Sequence, residues 1–181
     1  QPSDIAILAR TWTPLEGYGQ AISQRTFAGQ SIPVVQTKGG NLLDSREAKD
    51  ASALLQFLAD IRDDLSLIAV LRSPFFAISD RVLYQLSLTS QGKSWWDKLE
   101  SAKLPELLPT IITLKTLVKR RNLDPPSRLL QWADKLTGYT AVIANLPNPQ
   151  RRLADWRGFL DTVRQLEAGM AEVFQVVRRL Q

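Results

Sequence analysis

At 181 residues, 44% apolar and 23% charged, the chain is long enough for one or two domains and can bury a sizeable core, which excludes a disordered tail. It has no cysteine and no histidine, so disulfide frameworks, thiolate catalysis, zinc ribbons and imidazole acid–base chemistry are excluded together. The net charge of +5 is uneven: residues 1–100 hold ten Lys/Arg against eleven Asp/Glu, and residues 101–181 hold thirteen against seven, a basic excess that suits either phosphate contact or a solvated face.

The chain opens at Gln1 with neither a basic leader nor a hydrophobic one and without an initiator Met, so it reads as a piece cut from a longer protein. Its apolar runs, such as Leu65 to Leu71, fall short of the roughly 20 residues needed to span a bilayer, which predicts a soluble, cytoplasmic protein. Asp4-Ile-Ala-Ile-Leu-Ala9 is aliphatic on both faces and too short for a helix, as a buried parallel strand should be. Pro14 suits a first helical turn, and Leu15, Tyr18, Ile22 and Phe27 give a helical spacing as far as Gly29. Ile32 to Thr37 is a second β-rich run, so residues 1–43 spell strand, crossover helix, strand. Two strands make no stable buried sheet, so the missing neighbours are expected outside this chain.

After Gly39-Gly40 the period turns helical. Asp44 and Glu47 are spaced as N-cap and N3 of a capping box for a helix over about 45–62, with Ala48, Ala51, Leu54 or Leu55, and Leu58 on its apolar face. Asp63-Asp64 caps the next helix, which Pro74 stops, and Ser79 caps a third carrying Val82, Leu83 and Leu86. Helical patterns follow over Ser94 to Ala102, Pro109 to Arg121 and Ser127 to Leu136, with turns at Pro105, Pro125-Pro126 and Gly138. From Pro149 to the end, Leu153, Trp156, Leu160, Val163, Leu166, Met170, Val173, Val177 and Leu180 recur at threes and fours, which predicts one long helix without a stop signal. The fold expected is therefore mainly α: a helical domain over 44–181, preceded by a short βαβ piece over 1–43.

Gly39-Gly40 is not followed by Gly-Lys-Ser/Thr, so no phosphate loop is present and the chain is not expected to bind ATP. Asp63-Asp64 reads as a cap rather than a metal site, and Lys119-Arg120-Arg121 complements a helix C-terminus as readily as it would meet phosphate. Arg157, Arg164 and Arg178 share one face of the expected long helix and can track a phosphate backbone, with Asp161 placed to neutralise Arg157 in part. Trp95-Trp96 should send one indole into the core and the other outward. Arg10, Thr11 and Trp12 follow the first strand at its carboxyl end, where open α/β sheets place ligand contacts, and Lys38 closes the second.

The order Asp4-Ile-Ala-Ile-Leu-Ala-Arg10, Ile32-Pro-Val-Val35, Gly39-Gly40 and Arg46-Glu47-Ala-Lys-Asp50 resembles UvrD-like superfamily 1 DNA helicases. The matching stretch there leads from the second RecA-like motor domain into its helical (2B-like) insertion. Asp63-Asp64-Leu-Ser-Leu-Ile-Ala-Val-Leu-Arg-Ser-Pro74, Pro126-Ser-Arg-Leu-Leu130, Gly138-Tyr139 and Gln150-Arg-Arg152 resemble its AddA and RecB branch of helicase-nuclease subunits. The resemblance implies that Arg10 lies beside a single-stranded DNA track. Trp12 stands where the family often has a polar DNA contact, and an indole there would stack on a base instead. Ala77-Ile78-Ser79 stands where the simpler helicases carry a Gly-Ile-Gly turn that meets duplex backbone.

The family's ATP-binding motifs precede this segment and its coupling motif follows it. The resemblance thus implies a parent ATP-dependent helicase, with ATP and Mg as cofactors, acting in DNA repair and recombination, and a fragment with no catalytic, cofactor or metal residues of its own. The implied partners are DNA, as single-stranded track and duplex junction, the remaining helicase domains and a second helicase-nuclease subunit, with no membrane. The candidate DNA contacts are Arg10, Thr11, Trp12, Lys38, Arg157, Arg164 and Arg178. The rival reading is a helical protein–protein interaction module without direct DNA contact.

Overall fold

The computed structural model describes residues 5–11, 13–32, 34, 42–89, 92–168 and 172–180. They form two compact units, residues 1–41 and 42–181.

In the first unit, Pro14 sits in the first turn of α1 (Thr13–Ser23). The helix stops at Ser23, whose hydroxyl donates to the Gln20 carbonyl at 2.9 Å. The expected continuation through Phe27 is replaced by an antiparallel hairpin of β1 (Thr26–Phe27) and β2 (Gln30–Ser31), pairing Thr26 with Ser31 and Phe27 with Gln30. Its two-residue loop holds Ala28 at φ 51° and Gly29 at φ 77°, the doubly left-handed geometry that matches strand twist. The parallel strand–helix–strand unit is not seen among the described residues. Ile5–Arg10 has no regular structure, and Ile5, Ile7 and Leu8 are 74%, 46% and 94% exposed. A lone aliphatic run has no neighbour with which to exchange backbone hydrogen bonds, and the hairpin is too short to supply one. Ile32 and Val34 are likewise outside any strand, while Pro33, Val35, Gln36, Thr37 and Gly39-Gly40 lie outside the described residues.

The second unit is helical. A 3-10 turn at Leu42–Asp44 leads into α2 (Arg46–Ala59). The cap is Ser45 rather than Asp44: its hydroxyl accepts from the Ala48 N–H, so Glu47 is freed from the expected capping box. Asp63 caps α3 (Asp64–Arg72) as the sequence suggests, accepting from the Ser66 N–H at 3.0 Å. Ser79 accepts from the Val82 N–H at the start of α4 (Asp80–Thr89). Ser94 and Asp97 form a complete capping box on α5 (Trp95–Ser101). The helices α6 (Leu108–Arg120) and α7 (Pro126–Thr137) follow, each with proline in its first turn. Gly138, at φ 70°, ends α7, and the Asp134 carboxylate accepts from the Thr140 N–H at 2.7 Å to cap the short α8 (Tyr139–Ala144).

The expected long C-terminal helix is two helices, α9 (Pro149–Glu167) and α10 (Val173–Leu180). The chain leaves helical geometry at Ala168, with ψ 108°, just before Gly169, a poor helix former. Met170, counted in the apolar run, lies outside the described residues.

At the centre is α2, whose Ala48, Ala51, Leu54, Leu55, Phe57 and Leu58 are almost wholly buried, with α3, α7, α9 and α10 packed around it. Phe75 stacks on Tyr139 at 4.0 Å between ring centres and Tyr139 tilts on Trp156 at 4.8 Å, joining the turn after α3 to α8 and α9. Beside these rings is a polar cluster. Arg152 on α9 pairs with the buried Glu47 at 2.5 Å, and the Tyr139 hydroxyl donates to Asp50 at 3.4 Å. Burial is the main cause that pushes the Asp50 carboxyl up to about 6, with the Glu47 charge adding to it and Arg46, the Tyr139 hydrogen bond and Arg152 opposing it.

This packing generates two stability predictions. The Asp50 carboxyl titrates near 6 when folded against an ordinary 3.8, so the folded state favours its neutral form. That contribution is complete below about pH 4 and is lost as pH rises through about 6. Asp50→Asn, neutral throughout, should therefore stabilise the chain by about 1–2 kcal/mol at pH 7.5, after discounting for partial exposure, and by little at pH 4. Urea unfolding at the two pH values checks this; equal effects at both would refute it. In the turn after α3, Ala77 is exposed and held at φ 50°, a left-handed conformation that costs an L-residue about 1 kcal/mol. Ala77→Gly should raise the urea midpoint, by roughly 0.5 kcal/mol net of the extra chain entropy of glycine. A fall in the midpoint would mean that the turn is not strained.

Candidate nucleic-acid interface

The cations of the second unit divide into those consumed by the fold and those left to solvent. The Lys119-Arg120-Arg121 run ends α6 as the macrodipole favours, and two of its members are held internally. Arg120 pairs with Asp124 at 2.6 Å and lies 4.2 Å from the centre of the Trp132 ring, while Arg121 donates to the Leu58 carbonyl at 3.4 Å. Lys135 also sits over Trp132, at 5.2 Å. Arg152 is tied to Glu47, and Arg151 lies 3.8 Å from Asp155. Burial pushes the Asp155 carboxyl upward against the pull of Arg151. Lys119, Arg128, Arg157, Arg178 and Arg179 are exposed.

The candidate contacts named from sequence fall in both units. Arg10 and Thr11 are exposed in the irregular segment ahead of α1, and Trp12 and Lys38 lie outside the described residues. Arg157 and Arg164 share a face of α9, seven residues apart, and both are exposed. Arg178 is exposed on α10, beyond the break, so the single face expected for all three is not formed. Asp161 pairs with Arg164 at 2.7 Å instead of neutralising Arg157. The i,i+3 spacing toward the helix C-terminus places that guanidinium where the macrodipole also favours it.

The described tryptophans are all buried or half-buried. Trp96 is buried against Phe57 at 5.3 Å and Trp156 is buried among Phe75 and Tyr139. Trp95 is half-buried beneath Lys98, with its backbone N–H donating to Asp64 at 2.8 Å. Trp132 is occupied by its two cations, and its buried indole N–H has no acceptor among the described residues.

A feature that sequence reasoning missed is the outer face of α10. Val173, Val176 and Val177 are buried, which leaves Phe174, Gln175, Arg178 and Arg179 with Glu172 around a shallow concavity of about 510 Å³. The signal was present in the alternation of valines with Phe174 and Arg178, but it emerges only once the helix is known to restart after Gly169. Among the described residues no three acidic side chains converge to hold a metal ion, and no helix is long and apolar enough to cross a membrane.

No family model matches the chain. Its sequence is nevertheless similar along almost its whole length to AddA proteins, the AddA-type subunits of ATP-dependent helicase/nucleases. The one from Thermoanaerobacter sp. (strain X514) is 29% identical over 173 residues, which cover 91% of this chain and 14% of that protein. That of Heliobacterium modesticaldum is 26% identical over 203 residues, covering 98% and 14%, and that of Listeria monocytogenes serotype 4b is 25% identical over 195, covering 100% and 15%. The chain therefore matches the AddA-type, UvrD-like helicases that its motifs resemble, and it spans about one seventh of the length of these relatives.

Proposed function

We propose that this chain is the helical insertion, with an adjoining corner of the second RecA-like motor domain, of an ATP-dependent DNA helicase of the AddA type, and that it positions DNA for that motor. The observation that carries this reading is the end-to-end similarity to AddA-type helicase/nuclease proteins. The exposed aliphatic run Ile5–Leu8 supports the motor-domain corner, because such a run gains backbone partners and cover only inside a larger parallel sheet. Residues 1–43 belong to the motor in this reading and 44–181 to the insertion.

ATP and Mg are bound by segments of the parent outside this chain, so the piece itself performs no hydrolysis. The whole protein works in DNA repair and recombination in the cytoplasm, and its partner is a second helicase-nuclease subunit. Exposed Arg157, Arg178 and Arg179 meet phosphate, and Arg10 and Thr11 face the single strand. A second reading, a protein-docking module, has its own support in apolar pairs one turn apart: Tyr84 with Leu88 on α4, and Leu108 with Ile112 on α6, all more than half exposed.

The two readings separate by salt. Fluorescence anisotropy with labelled oligothymidylate should show binding at 50 mM salt that weakens steeply toward 200 mM, with a log–log slope of about −2 if three phosphates are neutralised. Arg157→Glu should lower low-salt affinity several-fold and flatten the slope by roughly 0.7. Absence of binding at low salt, or binding indifferent to salt, would favour the docking module.

A further inference from the structure

We infer that the outer face of α10 is a stacking site for one nucleotide of single-stranded DNA, with Phe174 as the platform for the base and Arg178 as the phosphate contact. The inference rests on the DNA-positioning reading above and names where a base is held.

The valine face of α10 is locked onto α2, so the opposite face is presented by a fixed helix rather than a loop. Phe174 is 63% exposed there, although an exposed phenyl ring gains nothing from water. Arg178 follows four residues later, one turn along the same face, and is exposed, as is Arg179 beside it. A ring and a guanidinium at that spacing match the two ends of a nucleotide: every base has a π-face, and every phosphate carries a charge. The concavity lined by Glu172, Phe174, Gln175, Arg178 and Arg179, about 510 Å³, has room for a small ligand and little more.

The other strongly exposed aromatic of this unit, Tyr84, has the apolar Leu88 one turn on and the exposed Arg81 one turn back. On α10 the ring and the guanidinium line one and the same concavity. Since stacking is indifferent to sequence, the site should hold any base.

The test is a binding titration with the 181-residue chain against oligothymidylate and against an abasic oligonucleotide of equal length, which carries the phosphates without the bases. Wild type should bind the abasic strand roughly tenfold more weakly. Phe174→Ala should lose about the same factor on oligothymidylate, lose nothing further on the abasic strand and keep the wild-type salt slope, because the lost contact is uncharged. Phe174→Tyr should restore binding. Arg178→Ala should weaken both strands and flatten the salt slope by about 0.7. Because Phe174 is exposed, thermal unfolding of these variants should stay near that of wild type. If wild type binds oligothymidylate and Phe174→Ala binds it equally well, the nucleotide site is wrong, the DNA reading stands, and the face is left to a protein partner. If wild type binds neither strand at low salt, both readings fall together.

Discussion

The second unit depends on α2 being surrounded. Packed by α3, α7, α9 and α10, this helix leaves only Arg46 and Lys49 fully exposed, and its eight buried residues include one charge, Glu47. A buried carboxylate needs a partner, and the one it finds is Arg152, which α9 delivers across the aromatic cluster of Phe75, Tyr139 and Trp156. Arg152 is held at its other end by the Pro147 carbonyl, at 2.8 Å, so the start of α9 is fixed in direction as well as in contact. The second carboxylate of the cluster, Asp50, has among the described residues only the Tyr139 hydroxyl at 3.4 Å, which is why burial prevails over its positive neighbours. One acid is satisfied and the other is tolerated, and α2, α8 and α9 meet at that asymmetry.

The same need for partners sorts the basic excess of residues 101–181. Arg120, Arg121, Arg151 and Arg152 all serve the fold, through Asp124 and Trp132, the Leu58 carbonyl, Asp155 and Glu47 respectively. Net charge read from composition therefore overstates what is free to meet a polyanion. Arg157 on α9 and Arg178 and Arg179 on α10, which are exposed and have no carboxylate partner among the described residues, lie on helices whose inner faces pack against the core. That combination of fixed backbone and free charge is what a surface needs to hold phosphates in register.

Signals confined to one turn of chain were legible in the sequence. Asp63, Ser79, Ser94 and Gly138 each act within four residues, and each stands at the boundary its type suggests. At the start of α2 local spacing was not enough: it pointed to Asp44 with Glu47, whereas the cap is Ser45 and Glu47 is committed to an arginine 105 residues away. The opening aliphatic run illustrates a different limit. Ile5–Leu8 has the composition of a buried strand, but strand formation is a property of neighbours, and the described part of the first unit provides none. The Arg157, Arg164 and Arg178 face failed for a third reason, since it assumed an unbroken helix.

That break decides what α10 shows to solvent. On a continuous helix Phe174 would follow the buried Val163 by eleven residues, close to three whole turns, and would face the core with it. Val176, thirteen residues on, would be carried roughly to the opposite side and face water. The structure has the reverse, with Val176 fully buried and Phe174 mostly exposed. The interruption at Ala168, where Glu167 turns aside to bond the Ser127 hydroxyl at 2.6 Å and its N–H at 2.9 Å, resets the phase. Burying three valines against α2 then requires Phe174 and Arg178 to point outward together. The aromatic and the guanidinium are thus neighbours on one exposed face because the helix was cut and restarted.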